Sequence, residues 1–503
     1  MPVNGGDVVN GRVCIDNETC ETCTLVKTVD PASPDHGGSV STQVDSANRH
    51  GILLEMVQLL TDLDLVIFKS YISSDGGWLM DDLLGNKLTD PVLIHYVQQA
   101  LGRGQRGRGR GTSEVTTCLG KLVGSAHLAC DYAAVEVTST DRPGLLSEIA
   151  AVLTELGCQV LCAQAWTHKS LAAIVLYLLD GSTRAPITEA DRLANIERQV
   201  NIVVEAHHVP GHRRWVKAGG PTPGRVHTER RLHQLLYEAG DYEAGPPPPP
   251  VDPNLEAFRG QNLPLLASSA TAMTKTRVSI DSWKERGYSV VNIQSRDRPK
   301  LLFDTVCTMT DMDYAVFHAT MGSHGPLAVQ EYYIQDMYGC TLECEMEKQK
   351  ITRCLAAAVE RRVSHGLRLE ISGRDRPGLL SDITRVLREN SVSLTRAECA
   401  TRGERATMTL YVTTASGVGD VDPKRVVASV EEELGEGIKV AVISGALAAL
   451  NRSSSNNDVK SARITTAGGG AARSKSTTSV TAFGSLLWSH IERLSNNFGS
   501  ISS

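Results

Sequence analysis

No stretch of this sequence approaches the ~18 consecutive apolar residues that a membrane-spanning helix needs. Its first residues, Met1-Pro2-Val3-Asn4-Gly5-Gly6, lack the basic region and apolar run of an export signal. The expected address is therefore intracellular, cytoplasmic or nuclear. An excess of either charge is missing too. With 51 Lys and Arg against 57 Asp and Glu, a formal net charge of -6 gives no global field to draw the chain onto nucleic acid or an anionic membrane. There is no Gly-x-Ser-x-Gly elbow, no His-Glu-x-x-His and no P-loop. A nucleotidyltransferase would show Gly-Ser followed by Asp-x-Asp on adjacent elements, whereas Asp62-Leu63-Asp64 and Asp311-Met312-Asp313 fall where helices should end. These absences argue against an enzyme, and no cofactor is expected.

Nor do the twelve cysteines form a framework. They are scattered singly, with Cys162, Cys307 and Cys399 among apolar neighbours, so most are expected to be reduced and buried. Cys20 and Cys23 make one CxxC with Cys14 nearby, but no second pair follows at zinc spacing, and no metal is expected.

What is present is a repeat. At 503 residues the chain should hold three or four domains. Asp141-Arg142-Pro143-Gly144-Leu145-Leu146 recurs as Asp297-Arg298-Pro299-Lys300-Leu301-Leu302 and as Asp375-Arg376-Pro377-Gly378-Leu379-Leu380, with a weaker copy at Asn48-Arg49-His50-Gly51-Ile52-Leu53. Before the fourth copy, Leu367, Leu369 and Ile371 alternate with polar residues, the mark of a strand with one wet face. After it, Leu379, Ile383, Val386 and Leu387 share a helical face, and Asn390 suits the left-handed position that ends a helix. Residues 392–399 and 406–412 then read as a hairpin. Asp422 and Pro423 open a second helix that Gly435 stops, and Ile438, Val440 and Val442 close as a strand.

Each copy is thus expected to be a βαββαβ ferredoxin-like unit, and the chain an α+β protein of four such units. The expected boundaries are 13–102 (first copy, incomplete because its third strand shrinks to 78–82), 131–207, 287–363 and 365–444. Copies one and two, and copies three and four, are expected to form tandem pairs, the latter compact and the former looser. Residues 208–286, with the run Pro246 to Pro250, read as an extended spacer. The Ser- and Gly-rich 445–503 reads as a disordered tail.

These four units resemble the ACT domain, a regulatory module that in many enzymes of amino-acid metabolism binds a small effector. Asp45-Ser46-Ala47-Asn48, the 71–78 segment ending at Trp78, Thr228-Glu229-Arg230-Arg231-Leu232-His233-Gln234, Gln330-Glu331-Tyr332-Tyr333-Ile334 and Glu360-Arg361-Arg362-Val363 are similar to segments of plant ACT domain repeat proteins. The resemblance spans about residues 13–444. It implies ACT units without a catalytic domain and a role in sensing amino acids, with a protein partner to carry the output.

The motif itself suits a zwitterion. Pro143 or Pro377 has no N–H to lose at a helix start, so the donors near Gly144-Leu145 or Gly378-Leu379 are free for a carboxylate. Asp141 or Asp375 can accept from an ammonium group, and glycine allows close approach. The competing reading is a plain turn in which the Asp caps its own helix. The resemblance adds a polar residue early in the second strand, contributed across an interface. The matching positions are Val66, Gln159, Ala315 and Ser393, which points to copies two and four. The candidate ligand-binding residues are accordingly Asp141, Gly144, Leu145, Gln159, Asp375, Gly378, Leu379 and Ser393.

Gly102-Arg103-Gly104-Gln105-Arg106-Gly107 spells GxGxxG but follows a helix rather than a strand, so it reads as a solvated loop; neither nucleotide nor nucleic-acid binding is expected. His207, His208 and His212 likewise read as a surface loop. The leading expectation is an amino-acid-binding regulator, with glutamine as a guess. The alternative is a ligand-free scaffold whose units pair through open sheet edges, possible also between copies of the chain.

Overall fold

Leu145, Leu146, Ile149 and Leu153 recur at helical spacing and all are buried, and Gly157 turns the chain with a left-handed φ of 67°. In the fourth copy the left-handed residue is Ser391, one beyond Asn390, whose side chain instead donates to the Val386 carbonyl. Asp422 accepts from the Lys424 and Arg425 amides to open the second helix, with Pro423 at its first position. The computed structural model describes residues 12–16, 23–29, 52–65, 67–75, 78–86, 91–102, 115–116, 122–123, 131–207, 209, 213–223, 225–243, 276–363, 366–416, 421–435 and 437–443. The tail at 445–503, the run Pro246 to Pro250, the Arg-Gly segment at 103–111, Val66, His208 and His212 lie outside them.

The first copy contributes β1 (Arg12–Asp16), β2 (Cys23–Val29), α1 (Ile52–Asp62), β3 (Ile67–Asp75), β4 (Trp78–Asn86) and α2 (Pro91–Gly102), followed by the small hairpin β5 (Val115–Thr116) and β6 (Leu122–Val123). The second contributes β7 (Ala133–Thr140), α3 (Leu145–Glu155), β8 (Cys158–His168), β9 (Leu171–Asp180), α4 (Ala190–Glu205) and β10 (Trp215–Gly219). Then come α5 (Thr228–Ala239), β11 (Arg277–Trp283), β12 (Tyr288–Arg296), α6 (Leu301–Asp311), β13 (Tyr314–His324), β14 (Leu327–Asp336) and α7 (Glu345–Arg361). The fourth copy supplies β15 (Leu367–Arg374), α8 (Leu379–Glu389), β16 (Val392–Arg402), β17 (Arg405–Thr414), α9 (Pro423–Leu434) and β18 (Ile438–Ile443).

These strands make two eight-stranded antiparallel sheets, ordered β1-β2-β4-β3-β13-β14-β12-β11 and β10-β7-β9-β8-β16-β17-β15-β18. The tandem pairing is therefore wrong. The first copy joins the third through β3 and β13, with Ile72 opposite Ala319, and the second joins the fourth through β8 and β16, with Ala165 opposite Ala397. Every copy offers a similar open edge, so edge chemistry alone does not choose the partner. Separation along the chain hardly chooses either, because tripling a loop adds only about 1 kcal/mol of closure entropy.

Three further expectations change. β4 runs the full nine residues from Trp78 to Asn86, so the first copy does not lose its third strand. The second and fourth copies follow the order βαββαβ, but the first and third are ββαββα. Their outer strands, β1 and β11, precede the unit yet occupy the place beside the unit's first strand that β10 and β18 fill in the others. The third copy has no choice, since α7 ends at Arg361 and the next strand starts at Leu367. Finally, the expected spacer is built structure over much of its described length: β10 extends the second sheet, and α5 buries Leu232, Leu235 and Leu236 against Trp166, Ala173, Val175 and Tyr177. The other face of the same sheet buries α3, α4, α8 and α9 in a core common to copies two and four. A separate core joins copies one and three.

All four second strands carry a register shift at the matching place, between Ile67 and Lys69, Val160 and Cys162, Val316 and His318, and Leu394 and Arg396. Such bulges re-aim the side chains beside them. The pairing of copies two and four is testable with one substitution, because Ala400 stands directly opposite Cys162. Ala400→Cys should form a disulfide with Cys162 under mild oxidation, at the Cα separation of about 4.5–5.5 Å that antiparallel neighbours provide. Peptide mapping should find residues 162 and 400 linked; their absence from one peptide pair would favour the tandem arrangement.

Candidate functional site

The repeated turn is built the same way in three copies. The amide of Asp141, Asp297 or Asp375 donates to a hairpin carbonyl, that of Ser170, Pro326 or Glu404, at 2.7 to 2.8 Å. The motif arginine reaches past the proline to an acid in the first helical turn: Arg142 to Glu148 at 2.6 Å, Arg298 to Asp304 at 2.6 Å and Arg376 to Asp382 at 2.5 Å. The N-cap is the residue after the proline, Gly144, Lys300 or Gly378, with φ of 83°, 65° and 80°, and no side chain caps any of the three helices. Two expectations need correction here. The proline lies just before the helix rather than at its first position, and the Asp does not cap its own helix.

Glycine is wanted at this cap chiefly for its backbone. A Cβ on Gly378 would meet only Thr154 at an ordinary 3.4 Å, although one on Gly144 would also strike Arg388 Cδ at 2.5 Å. Lys300 adopts the same left-handed geometry at some strain, and its ammonium pairs with Glu229 at 2.7 Å. Replacing it separates the two effects. Lys300→Gly and Lys300→Ala both lose the ion pair, but only glycine relieves the backbone, so the alanine variant should be less stable by about 1 kcal/mol in urea unfolding. Equal stabilities would count against strain at this turn.

Helices α3 and α8 lie antiparallel, so that Thr154 in the last turn of one abuts Gly378 and Arg388 in the last turn of the other abuts Gly144. This approximate two-fold places each turn against the other copy's second strand. One cleft brings Asp375, Gly378 and Leu379 to Thr154, Cys158, Val160 and Leu161. Gln159 is buried there, donating from Nε2 to Asp375 at 2.5 Å. The other brings Asp141, Gly144 and Leu145 to Thr167, Thr384, Thr395 and Arg396. Ser393, half-buried, is not among the residues lining it. The cavities are small, about 20 and 30 Å³, room for a water each. Burial raises both carboxyls. Asp141 is pushed up to about 6 against one opposing backbone hydrogen bond, whereas at Asp375 the bond from Gln159 offsets part of the effect.

A second polar constellation was not anticipated from the sequence. Asp304, fully buried, receives Arg362 at 2.7 and 2.8 Å, Arg298 at 2.6 Å and His233 at 2.9 Å. Glu229 pairs with Arg362 at 3.0 Å, and Arg361 grips Asp241 with two bonds of 2.7 Å while His168 holds the same carboxylate at 2.8 Å. Desolvation would raise Asp304 and Glu229, but the surrounding cations win and hold both well below the usual carboxylate range. His233 is kept neutral mainly by burial, which fits its roles as donor to Asp304 and acceptor from Arg361. Trp166 lies beneath the Arg362 guanidinium at 4.6 Å. Through this cluster α5 is fastened to three copies, with His227 on Asp62, Arg231 on Glu136 and Arg230 on Asp311. A signal was present: β9, Leu171 to Leu179, is an uninterrupted apolar run buried on both faces, unlike the alternating β17.

Among the described residues no group of three or more His, Cys, Asp or Glu is placed to hold a metal, and no helix is long and apolar enough to cross a membrane. Family models match residues 38–108 as an ACR family N-terminal ACT domain, and residues 131–205 and 367–432 as ACT domains. The chain is 42% identical to the ACT domain-containing protein ACR1 of Arabidopsis thaliana over 501 residues, 97% of this chain and 95% of that protein. It is 42% identical to ACR3 of the same plant over 83% of this chain and 84% of the relative. A bifunctional uridylyltransferase/uridylyl-removing enzyme of Rhodospirillum rubrum shares 23% identity over 46% of this chain and 20% of its own length. Near-complete coverage by relatives of this identity, together with three ACT matches that coincide with the repeated turns, shows that the chain belongs to the plant ACR family of ACT-domain proteins.

Proposed function

We propose that this protein is a non-enzymatic amino-acid sensor of four ACT units, the third being residues 277–361, and that it binds its ligand between copies two and four. The observation that carries the reading is the meeting of each Asp-Arg-Pro-Gly turn with the partner copy's second strand, which gathers residues as far apart in sequence as Gln159 and Asp375 around two clefts, each with an Asp carboxylate at its turn. In a cleft that takes ligand the Asp receives the ammonium, and the amides of the helix's first turn beyond Leu145 or Leu379, whose own amides donate to the Arg142 and Arg376 carbonyls at 3.2 Å, take its carboxylate. Because the clefts are nearly closed, binding has to open them. Ligand then favours one arrangement of the copy-two and copy-four helices over another, which is the difference in affinity that any signal requires. The output passes to a protein partner, with the outer strands β1, β11, β10 and β18 as edges available for pairing, to a second copy of the chain included.

Calorimetry of the full chain against the twenty amino acids, glutamine first, tests the reading. A ligand of this size should bind in the micromolar to millimolar range, and Gly144→Val should block the copy-two cleft. Affinity should fall up to tenfold per pH unit below about 6, as Asp141 protonates, and level off above it. The other charged or titratable groups around that cleft are Arg142, Glu148, Arg388, Arg396 and, through its interaction with Glu148, His207. No heat from any amino acid up to about 10 mM, with the protein folded, would leave the ligand-free scaffold as the better account.

A further inference from the structure

The two clefts are related by an approximate two-fold, yet their closures differ in kind. Over the copy-two turn lies Arg388, whose side chain is 40% exposed and whose nearest acid, Glu148, stands at 3.6 Å. Such a rim arginine swings away at little cost, and once moved it still offers a cation to an incoming carboxylate. The carboxylate of Asp141 has no side-chain hydrogen bond of its own among the described residues. At the copy-four turn the carboxylate is already taken. Gln159, only 4% exposed, reaches across from β8 and donates to Asp375 at 2.5 Å, filling the position from which a ligand ammonium would donate. Its carboxamide is poorly used otherwise, since Oε1 is buried without a donor. A glutamine kept for stability would be expected to satisfy both ends. The matching residue on the other side of the two-fold is Ser393, whose side chain is too short to reach the Asp141 turn in the same way.

Building on the amino-acid-sensor reading, we infer that the copy-two cleft is the receptor site and that the copy-four cleft is closed by the chain's own Gln159, a tethered competitor for the ammonium of the ligand. One pair of ACT copies then takes one amino acid rather than two, and the second cleft answers only where the Gln159–Asp375 bond is released. The geometry also assigns Gln159 the part of a residue that sets stoichiometry rather than one that adds affinity.

The test is calorimetry of the full chain with each of the twenty L-amino acids, on wild type and on Gln159→Ser, which copies the Ser393 side, with Gln159→Ala as a second variant and circular dichroism as the check on folding. One equivalent in wild type, lost in Asp141→Ala, and two equivalents in Gln159→Ser, the second lost when Asp375→Ala is added, are expected. Two equivalents in wild type, or one in both proteins, would overturn the plug and leave the sensor reading intact. Binding to the Gln159 variants alone, abolished by Asp375→Ala, would uphold the plug and overturn the assignment of the copy-two receptor. Silence from all three proteins would overturn both.

Discussion

Asp304→Ala should lower the unfolding free energy at pH 7 by about 3–5 kcal/mol, the usual cost of removing one partner from a buried ion cluster. The carboxylate is fully buried and is the common acceptor for Arg362, Arg298 and His233, so alanine strands two guanidinium groups away from water at once. Arg362 keeps Glu229, and Arg298 keeps the Val359 carbonyl, which holds the loss within that range. By contrast Glu238, 56% exposed in its pair with Arg231, should cost under about 1 kcal/mol when removed. Acid provides a second reading of the same cluster. Asp304, Glu229 and Asp241 are all held below the ordinary carboxylate range, so their contribution is complete above about pH 4 and fades as pH falls through the folded values. Urea unfolding of wild type and Asp304→Ala should therefore converge below about pH 4. A difference smaller than 1 kcal/mol at pH 7 would mean that the cluster does not fasten α5 to copy three.

Asp141→Asn should do the opposite to stability and harm binding. The folded protein raises this carboxyl to about 6, so it binds a proton more tightly than the unfolded chain does. Ionisation consequently costs stability as pH climbs from about 4 to about 6, and the cost is constant above that. A shift of this size corresponds to at most about 3 kcal/mol, and because the carboxylate is only partly shielded from water, a gain of about 1–2 kcal/mol for asparagine at pH 7 is expected. The gain should vanish below about pH 4, where the acid is protonated in both states. In exchange the variant loses a charge-assisted hydrogen bond to the ligand ammonium, worth about 1.5–3 kcal/mol, and should bind its amino acid roughly 10- to 100-fold more weakly. Urea unfolding across pH and calorimetry at pH 7 check the two halves. A variant both more stable and less able to bind would mark Asp141 as kept for function. A variant less stable at pH 7 would mark it as part of the turn.

Local chemistry made much of this protein legible in its sequence. The repeated Asp-Arg-Pro turn, the period-two strands such as β15 and the apolar stripes of α3 and α8 depend on neighbours a few residues away, and they identified the α+β units and both acidic turns. The acid six residues after the motif arginine is equally local and was there to be read. Which copies pair was decided only in three dimensions. Four similar open edges leave the choice to packing between surfaces, so the alternation of copies one with three and two with four carries no local mark, nor does the meeting of Gln159 with Asp375. The burial of α5 was half legible. The unbroken apolar run of β9 called for a cover on its second face, but that Glu229, His233 and Asp241 would supply it, and that Arg361, Arg362 and Asp304 would neutralise them, depends on side chains that only the folded chain brings within hydrogen-bonding distance.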